Sequence, residues 1–311
     1  MPVTVRSKMV LEIASELVGT PGWEDRQAKL SLRPQGPGPW NLTLLGSDSA
    51  DAVADVASKE AQLAIVNPGA VLTLAMRGTG PFNEPVPVRA ITVIGSYDQL
   101  AFGIHERTGM HSLEQVREAK YPLRISMRGQ RDHTIHMIVD EVLKAAGFSI
   151  AELESWGGGV NFDDGLPYPD RVKSVADGTA NALFDEAANQ WVNRGLEVGI
   201  EMCALAEPVL EKLTTIGFRR GTMEKVDFPG LPADVQTIDY SGFIVYTHAE
   251  TPDDVVRSIC AAIEARKEII PRDQGEGPLP TDRMCRDTPE GPLDIPLHPG
   301  AEAYWRELGY L

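Results

Sequence analysis

Arg128-Gly129-Gln130-Arg131-Asp132-His133-Thr134 brings guanidinium, amide, carboxylate, imidazole and hydroxyl groups together between the strand-like run LRISM and a helix-like run that begins at His133. A guanidinium is the group suited to gripping a carboxylate through two parallel hydrogen bonds, and Arg131 is the residue expected to do so. Arg128, Gln130 and Thr134 are the expected further polar contacts. His133 and His136 lie three apart on one helical face. With Asp132 they have the chemistry of a metal site or an acid–base pair, but two histidines in one turn are more often structural, and no metal is expected. Asp185 and Glu186 close the strand-like run NALF and open the next helix. Three roles fit them: taking a ligand amine or hydroxyl, polarising His133 in an enzyme, or capping the helix dipole.

Three other places carry polar groups where a strand gives way to a helix or turn. Ser47 and Ser49 follow LTLL, so their hydroxyls either donate to a ligand oxygen or cap the helix together with Asp48. Asn67 ends AIV ahead of Pro68 and Gly69, where its amide either reaches a ligand or makes the turn. Tyr97 and Tyr240 sit on two long extended stretches and are the aromatics expected to line a pocket, whereas Trp156, Phe162 and Trp191 read as core. The run Trp156-Gly157-Gly158-Gly159 lacks the strand-to-helix context of a phosphate loop and reads as a flexible segment. No GxSxG, HExxH or catalytic-cysteine signature is present, and no cofactor is expected.

The elements that must hold these residues alternate along the chain. A helix over Val5 to Val18 is expected to stop at Gly19 and Pro21, and a strand at Ala28 to Leu32 precedes a Pro/Gly-rich connector, Pro34 to Pro39. LTLLG, DSADAVADVASKE and AQLAIV then read as strand, helix and strand, the unit from which parallel sheets are built. Strands VRAITVIG and QLAFGIHE follow. A helix from His133 closes at Gly147, where a left-handed cap is wanted. Another round of helices and strands runs to IDYSGFIVYTH. The next helix is expected to have Thr251 as N-cap and Pro252 at its first position, and HPGAEAYWRELGYL supplies a last helix. This pattern is α/β with parallel-dominated sheets in two lobes. The stretches 92–104 and 235–246 are the expected crossings, which assigns residues 1–96 and 241–311 to one lobe and 97–240 to the other.

Composition narrows the partners. With 311 residues, two domains of moderate size are the natural expectation. Lys and Arg number 29 against 45 Asp and Glu, a formal net charge of −16, which argues against nucleic acid or an anionic membrane as partner. Cys203, Cys260 and Cys285 form neither a CxxC pair nor a zinc-ligand spacing. The first apolar residues, Met9, Val10, Leu11, Ile13, Leu17 and Val18, are interrupted by Glu12 and Glu16. They make an amphipathic helix rather than a signal peptide, and no window is apolar enough to span a bilayer. The chain as written therefore reads as cytoplasmic, or as extracytoplasmic if a leader has been removed.

LTLLGSDSADAVADVASKEAQLAIVNPGAVL, ITVIGSYDQLAFGI, HSLEQVREAKYPLRISMRGQRDHT, RVKSVADGTANALFDEA and the closing HPGA…YWRELG together resemble the TAXI family of solute-binding proteins, the receptors of a class of tripartite ATP-independent transporters. The resemblance implies a two-lobed type II periplasmic-binding-protein fold. It also implies capture of a small carboxylate in the cleft between the lobes and a membrane permease as partner. It places the 128–134 loop where the family carries a small ligand-binding loop. In this chain VTVRSK, running straight into a helix, stands where the family has a glycine-rich loop. That departure favours an alternative in which the fold serves a cytoplasmic enzyme, a lyase or hydrolase of a small acid, aromatic acids included. His133 would then be its acid or base, Arg131 its carboxylate clamp, and Asp185 or Glu186 the group that polarises the histidine.

Overall fold

The computed structural model describes residues 5–18, 27–33, 41–47, 49–163, 167–272 and 275–311. Gly19, Pro21, the connector 34–39 and Asp48 lie outside them. The chain begins with α1 (Val5–Val18) and β1 (Ala28–Leu32) and continues through β2 (Leu42–Gly46), α2 (Ala52–Ala57), β3 (Leu63–Val66), α3 (Ala70–Arg77) and β4 (Val88–Ile94). It then enters a second sheet through β5 (Ala101–His105), α4 (Leu113–Ala119), β6 (Arg124–Arg128), α5 (Thr134–Ala146), α6 (Ile150–Ser155) and β7 (Gly159–Asp163). A π-helical turn (Pro167–Arg171) leads to α7 (Val172–Ala176), β8 (Ala182–Asp185), α8 (Ala188–Glu197), β9 (Ile200–Met202) and α9 (Glu207–Ile216). The hairpin β10 (Arg220–Met223) and β11 (Val235–Ile238) precedes the return strand β12 (Phe243–His248), α10 (Asp253–Ala265) and α11 (Pro299–Glu307).

Among the described residues one sheet runs β1-β2-β3-β12-β4 and the other β7-β6-β8-β5-β9. The α/β architecture in two sheets is the expected one, but the sheets are mixed rather than parallel-dominated. Strands β2 and β3, β6 and β7, and β6 and β8 pair in parallel, while β12 lies antiparallel to both β3 and β4, and β5 antiparallel to both β8 and β9. The reason is connectivity. A strand reached by an extended crossing, with no intervening helix to reverse the chain, enters its sheet against the direction of the βα units.

The helices form for local reasons. In α5, Ile135, Ile138, Val139, Val142, Leu143 and Ala146 fall at helical spacing and are all buried. The helix ends at Gly147, whose φ of 96° is the left-handed conformation that glycine adopts without penalty. An apolar cluster runs from Val53, Leu72 and Ala75 beside the first sheet, through Tyr240, to Ile138, Leu143 and Leu213 beside the second. Trp305 of α11 is fully buried and donates its indole N–H to the Ile91 carbonyl at 2.9 Å, which fastens the C-terminal helix to β4.

Two local expectations change. Helix α10 starts one residue later than the capping pattern suggests, with Pro252 as its cap, because the Thr251 hydroxyl is engaged with that of Thr247 at 2.7 Å. The glycine run after Trp156 is a packed turn rather than a flexible segment. Gly158 N–H donates to the Leu153 carbonyl (3.0 Å) and Gly159 N–H to that of Leu123 (2.9 Å), closing α6 onto the start of β6. A Cβ on Gly158 would run into the Leu123 carbonyl oxygen and amide nitrogen, which are backbone atoms with little freedom to move. Gly158→Ala is expected to lower stability by about 1–3 kcal/mol, read as a shifted midpoint with unchanged slope in urea denaturation.

Candidate functional site

The carboxyl ends of β2 and β3 in one sheet meet those of β6 and β8 in the other. Ser49 and His133 form an isolated antiparallel bridge, so the loop after β2 touches the loop after β6. The Thr134 hydroxyl donates to the Asn67 carbonyl at 3.0 Å and lies 3.1 Å from the Tyr240 hydroxyl. Asn67, which precedes Pro68 through a cis bond, donates its side-chain amide to the carbonyls of Tyr240 and Gly242, each at 3.1 Å. Three residues singled out from the sequence are thus brought together, and their polar groups largely satisfy one another. Tyr240 is fully buried, and burial raises its hydroxyl's pKa well above the ordinary tyrosine range.

Arg128, the last residue of β6, reaches the end of β8. Its Nε lies 3.4 Å from Asp185 Oδ1, its Nη2 forms an ion pair with Glu186, and its Nη1 is 3.3 Å from His133 Nε2. The other ring nitrogen, Nδ1, accepts the Ile135 N–H at 3.1 Å and caps α5. Both imidazole nitrogens therefore already face protein groups, which speaks against the acid–base role. Arg131 points elsewhere: it is exposed, with its guanidinium 4.1 Å from the centroid of the Phe162 ring. Gln130 is half-buried, and its backbone carbonyl lies 2.8 Å from His136 Nε2. Burial lowers the pKa of His136. The half-buried Ser47 accepts the Ser49 N–H at 3.2 Å, and the buried Ser49 accepts the Asp51 N–H at 3.1 Å. Both hydroxyls therefore organise the loop itself. Tyr97 spans the crossing and donates its hydroxyl to the Thr222 carbonyl at 3.1 Å.

Two further residues complete the site. Arg171 is almost fully buried, donates through Nη2 to the equally buried Asp185, and among the described residues has no hydrogen-bond partner for Nε or Nη1. Burial pulls its guanidinium below the ordinary value, against the opposing pull of Asp185. Asp98, on the first crossing, accepts backbone N–H groups from Gln99 (2.7 Å), Ala187 (2.7 Å) and Ala188 (3.1 Å), and so caps α8 from outside the helix. Burial raises its pKa to about 7, although each of these hydrogen bonds works the other way. Neither residue stands out in the sequence. An arginine at a helix start reads as solvated, and the SYDQ stretch gives no sign of a helix start some 90 residues away.

Cys203 lies just past β9 with its thiol pushed up to about 12 by burial, and it is chemically inert. Among the described residues no three His, Cys, Asp or Glu side chains gather as a metal site requires, and no helix is long and apolar enough to cross a membrane.

Mixed sheets linked by two extended crossings, with the polar residues gathered where the strand ends meet, make a two-sheet α/β architecture. The chain belongs to the NMT1-like family, whose model matches residues 46–309. Among solved structures it is similar to a TctC solute-binding protein from Polaromonas, at 15% identity over 69% of this chain and 68% of that one, with a TM-score of 0.37. It is also similar to XAC2383 from Xanthomonas citri bound to chloride ion, at 10% identity over 84% of this chain and 81% of that one, with a TM-score of 0.40. Both likenesses are distant. No curated protein matches the chain.

Proposed function

We propose that the protein is a solute-binding protein of the TAXI type that holds a small carboxylate between two lobes, residues 1–96 with 241–311 and residues 97–240. The observation that carries this reading is Arg128: a guanidinium at the carboxyl end of β6, fixed in direction by Asp185, with 22% of its side chain open to solvent. A cation so placed and not wholly buried is suited to an anionic group entering from the junction. Gln130, half-buried two residues after Arg128, is the neutral polar group nearest to it in the chain among the expected contacts. A receptor of this kind hands its solute to a membrane permease and so works outside the cytoplasmic membrane, which fractionation of cells expressing the gene would test.

The direct test is a thermal-shift screen of the purified protein against aliphatic and aromatic carboxylates, with mass spectrometry of each mixture. A binding protein is stabilised by mass action, by about 2.7 kcal/mol at a hundredfold excess over Kd, and returns its ligand unchanged. Arg128→Gln should abolish the shift at the same ligand concentration. Conversion of the ligand would instead favour the enzyme reading, and stabilisation by neutral solutes alone would remove the carboxylate.

A further inference from the structure

At the end of β8 two guanidinium groups, Arg128 and Arg171, pair directly with two carboxylates, Asp185 and Glu186, while Asp163 and Asp98 act on the cluster without pairing directly with either guanidinium. A ligand carboxylate arriving at Arg128 would add a further negative charge in a place largely shut off from water. That charge stays uncompensated unless one resident carboxylate leaves.

The two residents are not equally free to go. Asp185 is fully buried and is held by Arg171, by Arg128 and by the Glu186 backbone N–H at 2.9 Å. Among the described residues Arg171 Nε and Nη1 have no acceptor, so releasing Asp185 would leave that guanidinium with none there. Glu186 keeps 14% of its side chain exposed, pairs with Arg128 through Nη2, and sits on a longer side chain than Asp185. Its backbone is fixed independently: its carbonyl accepts the buried Trp191 indole N–H at 3.1 Å, and the next two N–H groups are held by Asp98. The Glu186 side chain can therefore swing away without disturbing the chain that bears it.

We infer that Glu186 is a tethered stand-in for the ligand's carboxylate, occupying Arg128 in the empty protein and yielding it on binding, while Asp185 stays in place to aim the guanidinium. This rests on the carboxylate reading above. The pair sets the affinity threshold of the site, because a ligand must outcompete an internal carboxylate that is always present at high effective concentration.

The test is Glu186→Gln, which keeps the shape and removes the charge, with Glu186→Ala beside it and circular dichroism melts to confirm that both fold. Acetate, succinate and benzoate are titrated calorimetrically into the wild type and both variants. In parallel, phenylglyoxal modification of Arg128 is followed by peptide mass spectrometry without ligand. Both variants are expected to bind the preferred carboxylate at least about tenfold more tightly, and their Arg128 to label several-fold faster. Adding Arg128→Gln to Glu186→Gln should erase the gain. Unchanged or weaker binding in Glu186→Gln, with the wild type still binding, would overturn the stand-in and leave the carboxylate receptor intact; it would mean that Glu186 meets a ligand donor instead. Failure of every protein to bind any of the three acids would remove the carboxylate reading, and the inference with it.

Discussion

Arg171→Met is expected to destabilise the protein by about 3–5 kcal/mol, the cost of leaving a buried carboxylate without its counter-ion. Asp185 has no exposed surface and Arg171 almost none, so neither charge finds water when the other is removed. Arg128 also approaches Asp185, but through Nε at 3.4 Å and from a partly exposed position, so it makes good only part of the loss. The double variant Arg171→Met with Asp185→Leu should recover most of the stability, since replacing both members of a buried pair with apolar groups is often close to neutral. Recovery is favoured further because the double change also removes Arg171 Nε and Nη1, which have no acceptor among the described residues and each carry a desolvation cost of about 1–3 kcal/mol. Urea denaturation of the two single variants and the double gives the coupling directly. A loss below about 1 kcal/mol for Arg171→Met would mean that Arg128 alone balances Asp185. The double variant should remain folded yet bind carboxylates poorly, because Arg128 would then have lost the group that aims it.

The parts of this arrangement that depend on near neighbours are legible in the sequence. The periodic apolar face of α5 and its stop at Gly147 are local, and so is the strand–helix–strand order of residues 42–66. These place the loops after β2, β3, β6 and β8 at strand ends, which is why Ser49, Asn67, Arg128, His133, Thr134, Asp185 and Glu186 were recognisable as one group. What pairs with what is not local. The sequence points to Arg131 as the clamp, but the direction of the last β6 residue sends Arg128 to Asp185 while Arg131 turns onto Phe162. The mixed strand directions follow from crossings whose partners lie far away in the chain, and the Gly158 turn follows from a close approach to Leu123. Asp98 belongs to the same class, a helix cap donated from a strand crossing, and it leads to the second large effect.

Relative to Asp98→Asn, the wild type is expected to lose stability as pH rises from about 4 to about 7. The ordinary aspartate value in the unfolded chain is about 3.9, whereas burial raises Asp98 in the folded protein to about 7. Between these values the native state holds a proton that the unfolded state has given up. Unfolding therefore becomes easier as pH rises, by up to about 1.4 kcal/mol per pH unit, and the dependence ends above the folded value. The half-buried Asp239 contributes in the same direction, and His105, His136, His248 and His298, whose pKa values burial lowers, in the opposite one, so it is the difference between variant and wild type that isolates Asp98. Asparagine cannot titrate, and its side-chain oxygen still accepts from the start of α8. Asp98→Ala removes the acceptor altogether and should cost about 1–2 kcal/mol at every pH, as losing a helix cap does. Equal slopes in the wild type and Asp98→Asn would show that Asp98 remains ionised in the fold and that its three backbone donors outweigh its burial. The consequence reaches the ligand site through a single peptide link. Ala187, which Asp98 holds, follows Glu186 directly, so loosening that hold should blur the position of Glu186 and weaken its claim on Arg128. Asp98→Ala should therefore raise carboxylate affinity in the same direction as Glu186→Gln, but by less.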